Sequence, residues 1–305
     1  MVDVSLLGTG GMIPLPGRFL SSMLLRLDGR LVLVDCGEGT QVSMRLLGWG
    51  FKNIDIICFT HFHGDHISGL PGLLLTMANS ERTEPITLIG PVGLRTVVSS
   101  LLVIANDLPF GINYLEWDSK SKLEHTDGMF SIKALPVKHR APCFAYGFEL
   151  RRRGKFDPIR AKELNIPVKL WGILQKHSDQ IHVYNDMEYT SDMVLGPPRK
   201  GIKVVYCTDT RPVATLVDFA SYADLFVCEG LYGSVENQKK TAKHMHMSFM
   251  EAADIAKKAH VKEMWLTHFS PAMPDPKSYL KNATDVYPES KIGKDRMTKT
   301  LKFEE

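Results

Sequence analysis

The chain alternates short apolar runs with polar, glycine-rich breaks, and most of the apolar runs have the length of a strand. Segments 2–7, 54–59, 203–207, 225–228 and 264–267 are mainly apolar runs of strand length, and 54–59 reads as a buried strand. Segments 22–27 and 31–34 flank Asp28-Gly29 and predict a hairpin. Further strands are expected at 86–89, 112–117, 130–137 and 143–150. Helices are expected after Thr40 to about Leu47, over 70–77, and from Pro91, where proline would sit in the first turn. Another begins at Ser248: Ser248 and Glu251 supply a capping box, and Phe249, Ala253, Ala256 and Ala259 share one face. The tail is polar and lysine-rich, with a helix around Tyr279.

The chemistry sits where these strands end. The first runs into Gly8-Thr9-Gly10-Gly11, which suggests a dinucleotide turn. Ile13 stands where a third glycine belongs, and Pro14 and Pro16 follow instead of a helix, so that reading is set aside. The strand at 54–59 runs into Thr60-His61-Phe62-His63-Gly64-Asp65-His66. Imidazoles and a carboxylate packed this densely at a strand end are metal-ligand composition. In extended backbone His61 and His63 point the same way and can grip one ion. Asp65 and His66, swung aside as the chain turns into a helix, can serve a second. Asp35 emerges at another strand end and leaves two readings open, a carboxylate orienting a ligand histidine or a helix cap. Asp209 and His268 also terminate strands, whereas His139 and His246 lie in loops. Taken alone, His139 between Lys138 and Arg140 reads as a surface residue. Strand ends converge on one rim of a sheet, so these side chains can share a site. Two cations about 3.5–4 Å apart need a bridging oxygen, which an aspartate provides. Imidazole dominance without cysteine favours zinc, with manganese or iron allowed.

Composition narrows the picture. A chain of 305 residues can bury a sizeable core, and 44% hydrophobic with 23% charged residues is ordinary for a globular protein. A net charge of +3 is too small to demand a nucleic-acid partner. Local charge has to make that case, and it gathers in the stretch 151–177. Arg151, Arg152, Arg153, Lys155, Arg160, Lys162, Lys169 and Lys176 are opposed there only by Asp157 and Glu163. Such a basic insertion is either a solvated protrusion or a clamp for a phosphate backbone. The five cysteines show no Cys-x-x-Cys spacing and read as buried thiols in a reducing compartment. No basic-then-apolar leader and no membrane-length apolar run is present, so a cytoplasmic protein without a membrane partner is expected. His125, His177, His182 and His260 are expected at the surface; His244 neighbours His246 without an assigned role.

The loop His61-x-His63-x-Asp65-His66, with Asp35-Cys36-Gly37, His139, Asp209 and His268, resembles the metallo-β-lactamase superfamily of binuclear hydrolases. Within it the chain is most similar to the ribonuclease Z family through Asp35-Cys36-Gly37-Glu38-Gly39-Thr40-Gln41, the stretch 60–73, Gly196-Pro197-Pro198-Arg199-Lys200-Gly201 and Asp209-Thr210-Arg211. The resemblance implies an α/β fold, a four-layer αββα sandwich with a small protruding arm at 151–194, the whole of 1–305 forming one hydrolase domain. It implies one zinc on His61, His63, His139 and Asp209, and another on Asp65, His66, Asp209 and His268. Asp65 would also take the proton of the attacking water, and His246 would protonate the leaving 3′-oxygen. The implied reaction removes the 3′ trailer of precursor tRNA, leaving a 3′-hydroxyl on the tRNA and a 5′-phosphate on the trailer. A homodimer is implied, each arm serving its partner's site. Three substrate-facing stretches depart from the family pattern: Pro14-Leu15-Pro16-Gly17-Arg18-Phe19, Val168-Lys169-Leu170-Trp171, and Phe269-Ser270-Pro271-Ala272-Met273. These departures keep open a binuclear hydrolase of small phosphodiesters or other esters.

Overall fold

The computed structural model describes residues 1–304 except 106, 119–122, 177–180 and 235–237. The first half supplies β1 (Val2–Gly8), β2 (Ser22–Leu27), β3 (Arg30–Val34), β4 (Ile54–Cys58), β5 (Ile86–Pro91) and β6 (Ile112–Trp117). The second half supplies β7 (Glu124–Asp127), β8 (Phe130–Val137), β9 (Cys143–Arg152), β10 (His182–Tyr184), β11 (Met187–Tyr189), β12 (Arg199–Cys207), β13 (Leu225–Glu229), β14 (Met264–Thr267) and β15 (Ser290–Ile292). The last strand, β16 (Thr298–Leu301), returns to the first sheet. The two large sheets run β16-β1-β2-β3-β4-β5-β6 and β15-β14-β13-β12-β9-β8-β7, with β10-β11 a separate small pair.

Side-chain alternation sets the layers. In β13, Leu225 and Val227 enter the core between the sheets, while Phe226 and Cys228 face the helices outside. In β12, Val204 and Tyr206 divide from Val205 and Cys207 in the same way. Strands covered on both faces need apolar residues at both parities, which explains their unbroken hydrophobic runs. The first sheet carries α1 (Thr40–Leu47), α2 (Gly64–Ile67), α3 (Leu70–Ala78) and α4 (Leu94–Leu101) on its side of the chain. Met44, Leu70, Leu74 and Val98 pack there against Leu33 and Ile57. The result is the αββα sandwich that the resemblance implies.

Between β9 and β12 the chain leaves the sheet as a small arm with α5 (Pro158–Glu163) and α6 (Val168–Lys176). Asp157 caps α5 by accepting from the amides of Ile159 and Arg160. Ala161, Ile166, Leu170, Leu174, Tyr189 and Val194 form a core private to the arm. Arg153 at its root donates to the carbonyls of Gln175 and Lys176, tying down the end of α6. Beyond the arm, α7 (Ala214–Ala220), α8 (Gln238–His244), α9 (Phe249–Lys258) and α10 (Lys281–Thr284) follow, and Leu216, Phe249, Ala256 and Ala283 cover the second sheet.

Several sequence expectations need correction. Pro91 closes β5 rather than opening a helix; α4 starts after Gly93, whose φ of 97° needs the freedom of glycine. The helix expected around Tyr279 is found, as a 3-10 turn over Pro276–Tyr279 that leads into α10. The polar tail supplies β15 and β16, which edge the two sheets. His125 and His182 are half-buried rather than on the surface, His260 is exposed as expected, and His177 lies outside the described residues. All five cysteines are buried and free. Among the described residues, no helix is long and apolar enough to cross a membrane.

Candidate metal centre

Four of the functional side chains stand just past the end of a strand, while Asp65 and His66 lie in α2 and His246 between α8 and α9. Asp35 follows β3, His61 follows β4, Asp209 follows β12 and His268 follows β14. Asp35, Asp209 and His268 all adopt left-handed backbone, at φ of 57°, 55° and 57°. That conformation costs a non-glycine residue about 1–2 kcal/mol. Here it turns the side chain off the strand direction and over the rim. The rim belongs to both sheets rather than to one, as the sequence reading had it. The two are fastened there by the amide of Phe144 on the carbonyl of Thr60, at 3.0 Å, and by the hydroxyl of Tyr146 on the carbonyl of Phe59, at 2.8 Å.

Asp35 is fully buried and caps no helix; Gly39 occupies the N-cap of α1. One carboxylate oxygen accepts from the amide of Thr60 at 2.8 Å, and the other from Nδ1 of His66 at 2.8 Å. The hydroxyl of Thr60 donates to Asp35 at 2.9 Å and lies 3.1 Å from Nδ1 of His61. A carboxylate can only accept, so the His66 Nδ1 carries a proton and Nε2 is the atom left to face the cluster, free to hold a cation in place of a second proton. The hydroxyl proton of Thr60 goes to Asp35, so its oxygen accepts from Nδ1 of His61 by the same logic. The orienting reading of Asp35 holds, and one carboxylate sets two imidazoles.

Asp209 sits between two groups. Its Oδ2 lies 3.1 Å from Nε2 of His66 and 3.2 Å from Nε2 of His268. Asp65 Oδ2 closes this side at 3.4 Å from His268. On the other side Asp209 Oδ1 lies 3.9 Å from Nε2 of both His61 and His139, and His139 Nε2 is 3.4 Å from Nδ1 of His63. Among the described residues, three sets of donor atoms each fall within 4.8 Å of one another: His61, His63, His139 and Asp209; Asp65, His66 and His268; and Asp209, His246 and His268. The side chain of His139 is only 2% exposed, so the surface reading of that residue is overturned. Its Nδ1 faces the carbonyl of Met245 at 3.3 Å, which again leaves Nε2 for the cluster.

Charge and desolvation point the same way. Burial opposes ionisation of Asp209, but the surrounding histidines, His268 and His66 foremost, hold its carboxyl well below the ordinary range. Burial likewise opposes charge on His66, yet Asp209 and Asp35 hold it well above its ordinary value. A field that retains a proton so strongly retains a cation too. Burial, aided by the charge of His66, pushes His61 well below its ordinary value, so its imidazole is neutral. Among the described residues, His61 Nε2 is buried without a hydrogen-bond partner, a cost that a metal bond removes. Nitrogen and oxygen donors with no thiolate among them fit a borderline divalent ion.

His246 stands beside this cluster, its Nδ1 3.0 Å from Glu229 and 3.8 Å from Asp209. Glu229 is fully buried at the end of β13, and its other oxygen accepts from the amide of Thr210 at 2.5 Å. Burial would lower His246, but the charge and hydrogen bond of Glu229 raise it to about 9. Glu229 stands one residue past the expected strand 225–228, and nothing in the sequence singles it out. Its closeness in the chain to Gly230 gave no hint that it would meet a histidine seventeen positions on. Arg211 further pins the loop by donating to the carbonyl of His246 and to Glu251 of the α9 capping box.

The chain is similar to several known proteins. A family model described as anti-Pycsar protein Apyc1 matches residues 2–140. Ribonuclease Z of Lachnoclostridium phytofermentans is 50% identical over 304 residues, covering 100% of this chain and 99% of that protein. Ribonuclease Z of Clostridium acetobutylicum is 51% identical over 309 residues, with 100% and 99% covered. Among solved structures, human tRNase Z, short form, superimposes with a TM-score of 0.70 at 26% identity, covering 99% of this chain and 100% of that one. A metallo-β-lactamase fold protein from Bacillus subtilis, YhfI, gives 0.69 at 19% identity, covering 97% and 98%, and so speaks to the fold alone. With half of all positions shared along its full length and an imidazole–carboxylate cluster on the sandwich rim, the chain belongs to the ribonuclease Z family.

Proposed function

We propose that this enzyme cuts precursor tRNA on its 3′ side with two zinc ions, leaving a 3′-hydroxyl on the tRNA and a 5′-phosphate on the trailer. His61, His63, His139 and Asp209 would hold one ion; Asp65, His66, Asp209 and His268 would hold the other. Manganese or iron suits the same donors. The observation that carries this reading is the division of the Asp209 carboxylate, with Oδ1 toward His61 and His139 and Oδ2 toward His66 and His268. When bound, such a pair of cations supplies water activation near neutral pH and charge neutralisation at a phosphoryl group.

The remaining work falls to the chain. Asp65 takes the proton of the attacking water. Burial opposes its ionisation, but the hydrogen bond to His268 and the charges of His66 and His268 keep it an acceptor. His246 donates a proton to the leaving 3′-oxygen of the tRNA, and Glu229 keeps that imidazole protonated and aimed. Engagement of Nδ1 by Glu229 favours this role for His246 over that of a third-site ligand.

Residues 1–305 act as one hydrolase domain, with 151–194 as a basic exosite. Exposed Arg160, Lys162 and Lys176 present charge for RNA phosphates, whereas Arg153 is committed to holding the arm together. The arm leaves β9 at Arg152, nine residues beyond Cys143 at the rim, about 30 Å along the strand. That separation favours a homodimer in which each arm grips tRNA bound at its partner's centre, in the cytoplasm. End-mapping tests the reading: a 3′-extended tRNA incubated with the purified protein and zinc or manganese gives the two stated termini. An uncut substrate, or a 3′-phosphate on the tRNA, defeats it.

A further inference from the structure

Thr9 and Phe19 are the two stems of the loop joining β1 to β2, and this loop touches the metal centre twice. The amide of Met12 donates to Oδ2 of Asp65 at 2.7 Å. Gly11 lies flat under the ring of His268, where a Cβ would come within 2.6 Å of the imidazole. The loop has little apolar anchorage of its own: Met12 and Ile13 are more than half exposed. Its tip is the turn Leu15-Pro16-Gly17-Arg18, closed by paired backbone bonds of 2.9 and 3.0 Å. Its base is bonded to the residue after His268, the Gly11 amide donating to the carbonyl of Phe269 at 3.0 Å and the Phe269 amide to that of Thr9 at 2.8 Å, and something further holds the two stems together.

That something comes from the tail. Between β15 and β16 the chain crosses from the second sheet to the first, held by Gly293 on the carbonyl of Leu266 at 2.8 Å and by Arg296 on that of Leu6 at 2.6 Å. Asp295, at the middle of the crossing, accepts from the hydroxyl of Thr9 at 2.8 Å and from the amide of Phe19 at 2.7 Å. One carboxylate therefore clasps both stems. Arg18 completes the brace by donating to the carbonyls of Met273 and Pro274 in the loop after His268, at 3.0 and 2.7 Å.

We propose that Asp295 is a positioning residue for the metal centre, acting through the β1–β2 loop to hold the Met12 amide on Asp65 and Gly11 against His268. Its own hydrogen bonds go to Thr9 and Phe19 and to none of the ligand side chains. The inference rests on reading the rim cluster as a metal centre, and two of its three readouts need no RNA cleavage.

The test uses the full-length zinc-loaded protein, with Asp295→Asn, which keeps shape but surrenders one acceptor, and Thr9→Val, which removes one donor. Thr300→Val serves as a control, because it loses a hydrogen bond to Asp3 from the same tail without reaching the loop. Three quantities are measured: backbone amide exchange in a peptide spanning 9–20, zinc release to a chromogenic chelator, and kcat and KM on 3′-extended tRNA. In Asp295→Asn the loop peptide exchanges faster, and zinc release rises and kcat falls by about tenfold, the scale of one lost charge-assisted hydrogen bond, while KM stays within about twofold. Thr9→Val moves the same way by less, and Thr300→Val leaves all three as in the parent. Unchanged exchange and zinc release in Asp295→Asn overturn the proposal, as do equal changes in Thr300→Val, which would make the tail a merely structural element. A parent protein that leaves tRNA uncut counts against the proposed reaction, and the exchange and zinc-release results still decide the role of Asp295.

Discussion

Replacing Asp35 with asparagine isolates the orientation of the histidines from their presence. Asp35 has no solvent contact, and its two oxygens receive an unswitchable donor, the amide of Thr60, and a switchable one, Nδ1 of His66. The new side chain has one acceptor and one donor end. Its oxygen must face the Thr60 amide, which leaves its NH2 against His66. His66 can accept only by moving its proton from Nδ1 to Nε2, and Nε2 is the atom that lies 3.1 Å from Asp209. Loss of a supporting carboxylate of this kind lowers metal affinity by about 10–100-fold, or about 1.4–2.7 kcal/mol. The folded state also exchanges a charge-assisted hydrogen bond for a neutral one, costing about 1 kcal/mol more. The assay is zinc affinity by chelator competition, with circular dichroism to check folding. Affinity within twofold of the parent, in a folded Asp35→Asn protein, would refute the tautomer argument.

Glu229→Gln should lower the His246 proton affinity from about 9 towards 6.5, because the buried charge that raises it is gone. An acid works only while protonated, so activity is lost as pH rises through that value, and the alkaline limb of kcat moves to lower pH; an unmoved limb argues against His246 as the acid. Charge reversal at Arg160 and Lys162 should weaken tRNA binding and shrink its salt dependence by about one ion per lost contact, while turnover of an aryl phosphodiester stays unchanged. Equal losses on both substrates would argue against an exosite. Asp209→Ala should abolish activity together with most bound metal, as measured by elemental analysis, and near-parental metal content would contradict a bridging role.

How much of this could be read from the residues alone depended on range. The loop 60–66 was legible because its donors are neighbours in the chain, and the strands of both sheets were legible because burial on two faces forces continuous apolar runs. Polar edge strands were not: β7 reads Glu124-His125-Thr126-Asp127, and one side of an edge strand carries no hydrophobic requirement. Asp35 stayed undecided until Thr60 and His66 were seen to share its carboxylate. His139 looked like a surface residue because its flanks are basic, and only the fold brings Met245 and Asp209 to it. Glu229 and Asp295 carry no motif at all, since each acts on a residue that only tertiary structure makes a neighbour.

Crystals of the zinc-loaded protein, with anomalous scattering recorded on both sides of the zinc edge, put the central assignment to its most direct test. The account predicts two peaks per chain, one among His61, His63 and His139 and the other among Asp65, His66 and His268, with an oxygen of Asp209 on each. A single peak, or two peaks that Asp209 does not join, would contradict it.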